Sequence, residues 1–186
     1  MNPTSNKSDF EDLTTNLKDL AYSYLEKYSP SKQQLKVYLL KKYLTKIKGS
    51  KSKKEVSSII DEIIINLEKN KFINEELYSD SKARIFLRRG YSLNKINQSL
   101  RNKGVDIKYI KQSINKIKEN QIEPDFVSAL KLCKRRRIGP LRPQMNRELF
   151  YKKDMGVLAR AGFSFEISKK ILGLDKKEYE KLIRII

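Results

Sequence analysis

No side chain in this protein can supply imidazole chemistry, because its 186 residues include no His. That removes Ser-His and Cys-His nucleophile pairs and imidazole metal ligands together. A single Cys, Cys133, can form neither an internal disulfide nor a thiolate zinc site. It follows Phe126, Ala129 and Leu130 on one face of an expected helix, so it reads as a small core residue and not as a nucleophile. Carboxylates and amines remain. The acid pairs Asp61-Glu62 and Glu75-Glu76 are adjacent in sequence and diverge around a helix, which keeps either pair from acting as an acid-base couple. None of the seven Gly begins a phosphate-cradling loop. The expectation is a protein that is not an enzyme, with no catalytic residue, metal or cofactor.

The functional candidates are cations. Lys and Arg number 41 against 22 Asp and Glu, a net charge of +19 with a pI near 9.9. A field of that sign attracts polyanions, so nucleic acid or a complex containing it is the expected partner. The charge is clustered: residues 126–147 hold seven Lys and Arg and no acid. Arg84 and Arg88 lie four apart and share a helix face, with Lys95, Arg101 and Lys103 on and after the next helix. The run Lys134-Arg135-Arg136-Arg137 repels itself and favours no single helix face, which points to an anionic partner, with Arg142 shortly after it. The scattered Lys of the C-terminal helix read as helix solvation. Tyr78 and Tyr91 suit stacking on a base, although aromatics beside turns more often staple two helices. Asn94, Asn97, Gln98 and Asn102 suggest a base-reading helix but also follow from composition alone. Residues 1–20 carry no apolar signal core, and no run of about 18 apolar residues exists. A soluble, cytoplasmic monomer without a membrane partner is expected.

These cations need elements to hold them, and the apolar residues recur at helical spacing without strand alternation, so the class is all-α. Ile59, Ile60, Ile63, Ile64 and Leu67 make one stripe. Ser31 is placed to cap a helix with Gln34 reaching back and Leu35 and Leu39 on its inner face. That pattern echoes: Ser92, Ile96 and Leu100 repeat it after Arg89-Gly90-Tyr91, and Ser164, Ile167 and Ile171 repeat it more loosely after Gly162-Phe163. Each such helix is followed by another striped one and preceded by an opening helix, at 17–28, 77–88 and 149–161. The result is three tandem three-helix, helix-turn-helix-like repeats forming an elongated curved rod. The expected divisions are a flexible tail 1–16, repeats 17–74 and 75–123, and a third repeat 124–186 with an extra helix at its start. The stretch before about Thr14 reads as disordered and the Lys/Ser tract 46–54 as a mobile loop. Gly90, Gly104 and Gly162 are assigned to turns requiring positive φ.

The run Phe72-Ile73-Asn74-Glu75-Glu76-Leu77-Tyr78, followed by Ala83-Arg84, Arg88-Arg89-Gly90-Tyr91-Ser92, Ile96 and Leu100-Arg101-Asn102-Lys103-Gly104-Val105, resembles the RecX family, as does Gly162-Phe163-Ser164 with its following Ile and Leu. The likeness runs loosely from about Leu20 to the end. It departs most in the first repeat, where the Lys/Ser tract replaces a short turn. The resemblance implies a curved rod of three three-helix repeats with no catalytic centre. It also implies binding in the groove of the RecA recombinase filament on single-stranded DNA, with inhibition of ATP hydrolysis and strand exchange. Arg84, Arg88, Arg89, Lys95, Arg101, Lys103, Lys134–Arg137 and Arg142 are the expected contacts to acidic protein surface or phosphate. The alternative is a stand-alone basic helix-turn-helix-like nucleic-acid-binding protein.

Overall fold

The structure, a computed structural model, describes residues 3–47 and 52–185. The middle of the Lys/Ser tract, 48–51, lies outside the described residues. Among those described there are ten α-helices and no strand, so the all-α expectation holds. They are α1 Pro3–Lys27, α2 Lys32–Lys42, α3 Lys53–Lys69, α4 Glu75–Arg88, α5 Leu93–Arg101, α6 Ile107–Asn120, α7 Pro124–Arg136, α8 Gln144–Arg160, α9 Phe165–Gly173 and α10 Lys176–Ile185. A π-helical turn, Tyr43–Ile47, continues α2, and a 3-10 turn, Gly139–Leu141, links α7 to α8.

Two compact units divide the chain. The first takes residues up to Tyr78 together with Lys103–Val105. Its core joins Leu13, Leu17 and Ala21 of α1, Leu35 and Leu39 of α2, and the α3 stripe Val56, Ile59, Ile60, Ile63, Ile64 and Leu67. The stretch 1–16, expected to be a flexible tail, is helical from Pro3. The cause is Leu13, which is buried one turn before Leu17 on the same face. Once that face is anchored, further turns need only helix propagation, without a new nucleus. Ser31 caps α2 in a full capping box: its Oγ accepts from Gln34 N at 3.2 Å, and Gln34 Oε1 accepts from Ser31 N at 3.1 Å. The same hydroxyl donates to Lys103 O at 2.6 Å.

The second unit takes Ser79–Asn102 and the chain from Asp106 onward. Its main cluster packs Ala129, Leu130, Leu132 and Cys133 of α7 against Leu158 of α8, Ile171 and Leu172 of α9 and Tyr179 of α10. The Tyr179 hydroxyl donates to Leu130 O at 2.8 Å, satisfying the one polar atom that this buried ring carries. Ser92 and Ser164 cap α5 and α9 with the conformation that Ser31 has before α2: φ −73°, −67° and −67°, ψ 162°, 160° and 162°. Helix α7 begins at Pro124, which stands at its first position, where a missing N–H costs nothing.

Candidate functional site

The second unit holds its cations around α5, and the sequence explains why α5 sits where it does. Ser92 Oγ accepts from Lys95 N at 3.1 Å, the ordinary N-cap bond. A second acceptor comes from elsewhere in the chain: Asp125, in the first turn of α7, takes Leu93 N at 2.7 Å. Burial pushes the Asp125 carboxyl up, while that N–H and the charge of Lys118 pull it back. The third tie is Ser92 N donating to Ala161 O at 3.0 Å, in the turn between α8 and α9. That turn comes so close that only Gly fits at position 162. Its φ is +88°, and a Cβ there would lie 2.5 Å from Ser92 Oγ and 2.8 Å from Lys95 Cβ. Thus α5, α7 and the α8–α9 turn are locked together.

Two clefts open along this junction. One, of about 590 Å³, lies between α5 and the end of α8 and is lined by Lys95, Arg101 and Arg160 with the amides of Asn94, Asn97 and Gln98. The other, of about 440 Å³, lies between α7 and α8, where Arg135, Arg136, Lys153 and Arg160 surround Tyr91. Arg160 lines both, a shared cationic wall that makes the two clefts adjoining halves of a cationic groove. Among the described residues that line it the one acid is Asp154, which is buried and paired with Arg142. Asp154 accepts two bonds from the Arg142 guanidinium, both at 2.7 Å, and one from Gly139 N at 2.8 Å. The Arg142 plane also lies 4.4 Å from the Phe150 centroid. The amides act as struts for the cations: Asn97 Oδ1 accepts from Arg101 Nε at 2.8 Å, and Gln98 Oε1 from Lys95 Nζ at 3.2 Å.

The structure gathers five of the residues expected from sequence into this groove: Lys95, Arg101, Arg135, Arg136 and Arg142. In Arg142 the charge is spent on Asp154. Arg84 lines a different cleft, on α4, with Asp80 and Lys116. Arg88, Arg89, Lys134 and Arg137 are exposed, and Lys103 belongs to the first unit. Gly90, Gly104 and Gly162 all have positive φ, at +72°, +69° and +88°. Tyr78 and Tyr91 staple elements. The first is buried and donates to Gln34 at 2.8 Å, and the second stacks on Phe86 at 5.6 Å. Cys133 is fully buried, and burial, followed by the nearby Asp154 charge, pushes its thiol up to about 12. Sequence reasoning missed Lys153 and Arg160. With Val157 they lie at i, i+4 and i+7 on one face of α8, a spacing that would have placed them together.

No group of His, Cys, Asp and Glu able to hold a metal ion exists among the described residues, and no described helix is long and apolar enough to cross a membrane. What the groove can do is bind an extended anion: several cations face one channel whose sole carboxylate is occupied. No family model matches the chain, and no solved structure matches it. It is similar to the "Regulatory protein RecX" of Myxococcus xanthus (strain DK1622), 33% identical over 160 residues, covering 85% of this chain and 84% of that protein. It is also similar to the "Regulatory protein RecX" of Agrobacterium fabrum (strain C58 / ATCC 33970), 28% identical over 113 residues, 61% of this chain and 58% of that one.

Proposed function

Because the chain belongs to the RecX family of regulatory proteins, we propose that it binds the RecA filament on single-stranded DNA and inhibits its ATP hydrolysis, strand exchange and growth. It does so as a cytoplasmic monomer with no chemistry of its own. The observation that carries this reading is the groove lined by Lys95, Arg101, Arg135, Arg136, Lys153 and Arg160, whose one acid among the described residues is already paired. The mechanism is differential binding: the protein shifts the filament between states only as far as it prefers one of them. The exposed cations Arg88, Arg89, Lys134 and Arg137 extend the positive surface beyond the groove.

The test is RecA-catalysed ATP hydrolysis on single-stranded DNA with this protein added below the RecA concentration. A fall in rate, with shorter filaments, is the expected result. An unchanged rate and filament length would overturn the reading.

A second reading, a stand-alone nucleic-acid-binding protein, draws on the amides of α5. Asn97 and Gln98 are occupied with Arg101 and Lys95, however, which suits phosphate contact better than base-edge recognition. Binding to naked strand as tight as to RecA-coated strand would favour that second reading.

A further inference from the structure

Another cleft of the second unit is unlike the cationic groove. It has a volume of about 980 Å³ and is walled by three helices. Helix α4 presents Asp80, Arg84 and Leu87, α6 presents Ser113, Lys116, Ile117 and Asn120, and α7 presents Val127 and Lys131. In each case the spacing is that of a single helix face. The floor is apolar, from Leu87, Ile117 and Val127. At the mouth stand Ile122, 90% exposed in the α6–α7 connection, and Ile185, 77% exposed. Two β-branched side chains left in water beside an apolar floor have no structural role in the folded unit.

The charges around this floor are unbalanced. Among the described residues that line the cleft Asp80 is the one acid, and it is spent: Lys116 Nζ lies 2.7 Å from its Oδ2 and the Ser113 hydroxyl donates to Oδ1 at 2.6 Å. Arg84 and Lys131 remain as positive charge with no carboxylate in ion-pair distance among the described residues. The cleft therefore complements a segment that is apolar on one side and acidic on the other. Its walls run about 10 Å, the rise from Asp80 to Leu87, which is two turns of helix. Nucleic acid is a poor occupant, because its phosphates have no use for an apolar floor. Resting on the reading that the partner is a RecA filament, we propose that this cleft docks an acidic, apolar-anchored segment of the RecA protein itself. The molecule then divides its work, with phosphate held in the groove and protein held in the cleft.

The test uses Ile122→Asp and Lys131→Glu, two surface changes made separately, with far-ultraviolet circular dichroism to show that each variant keeps its helices. Binding is measured to a labelled single-stranded oligonucleotide, naked and RecA-coated. Each variant is expected to lose about tenfold in affinity for the coated strand and less than twofold for the naked one, whereas Arg160→Glu loses affinity for both. Variants that bind coated strand as wild type does, or that lose naked and coated binding equally, would overturn the cleft proposal alone. Wild-type protein that ignores RecA altogether would overturn the filament reading and, with it, the occupant named here.

Discussion

Asp154 shows how one buried carboxylate can organise a cationic surface. It ties Arg142 and the Gly139 amide to α8 and so fixes the chain where α7 ends. Replacing it with Ala leaves a half-buried guanidinium and an amide N–H unpaired, and breaking a buried pair from one side costs about 3–5 kcal/mol. Urea denaturation of Asp154→Ala is expected to show a loss of that order; an unchanged midpoint would show that the pair is dispensable. Cys133 gives a second reading of the same core. With its thiol buried and pushed up to about 12, iodoacetamide should leave it unmodified in native protein and alkylate it only as fast as the unit opens. Mass spectrometry over hours at neutral pH, with and without denaturant, checks this.

The helices that could be read from sequence are those whose signals are local. Ser31, Ser92 and Ser164 cap because a hydroxyl and an N–H three residues on are enough, and α3 shows its stripe because every turn carries Val, Ile or Leu. Helix α8 hid its role. Its buried face is Asp154 and Leu158, so the inner side opens with a charged residue and reads as polar, and its two groove cations went unremarked. Capping by Asp125 was equally illegible, since it joins the starts of α5 and α7, which are far apart in sequence. The division into two units rests on tertiary contact and leaves no trace in the periodicity. Two outcomes test how elements are joined. Gly162→Ala forces a Cβ into φ +88° and against Ser92, and should cost roughly 1–3 kcal/mol, seen as a lower thermal midpoint. For Asp80, burial alone would raise the carboxyl, but bonds from Lys116 and Ser113 and the charges of Lys116 and Arg84 outweigh it and hold the pKa below the ordinary value. The folded state therefore favours the ionised form. Its contribution is present above the unfolded value of about 3.9 and disappears as pH falls through the lower folded value. The partner Lys116 is well exposed, so the effect is small, about 0.5 kcal/mol. Asp80→Asn should lose less stability than wild type between about pH 5 and pH 3, measured as thermal midpoints in parallel titrations.

Across the molecule, a net charge of +19 draws the protein to any polyanion, and position along the chain decides what that attraction can do. Charge alone gives binding that collapses with salt: six to ten phosphate contacts lose roughly 10³–10⁵ in affinity between 50 and 200 mM. A filament that also offers protein surface should hold on with a shallower slope, so the salt dependence on RecA-coated strand is expected to be less steep than on naked strand. Equal slopes would mean that phosphate is all the protein contacts. The most direct test of the groove as the working surface is RecA ATP hydrolysis titrated with wild type and with Arg135→Glu/Arg160→Glu, two changes of exposed cations on α7 and α8. The double variant is expected to need at least about tenfold more protein for the same inhibition, with its helix content unchanged. Inhibition at the wild-type concentration would contradict the account.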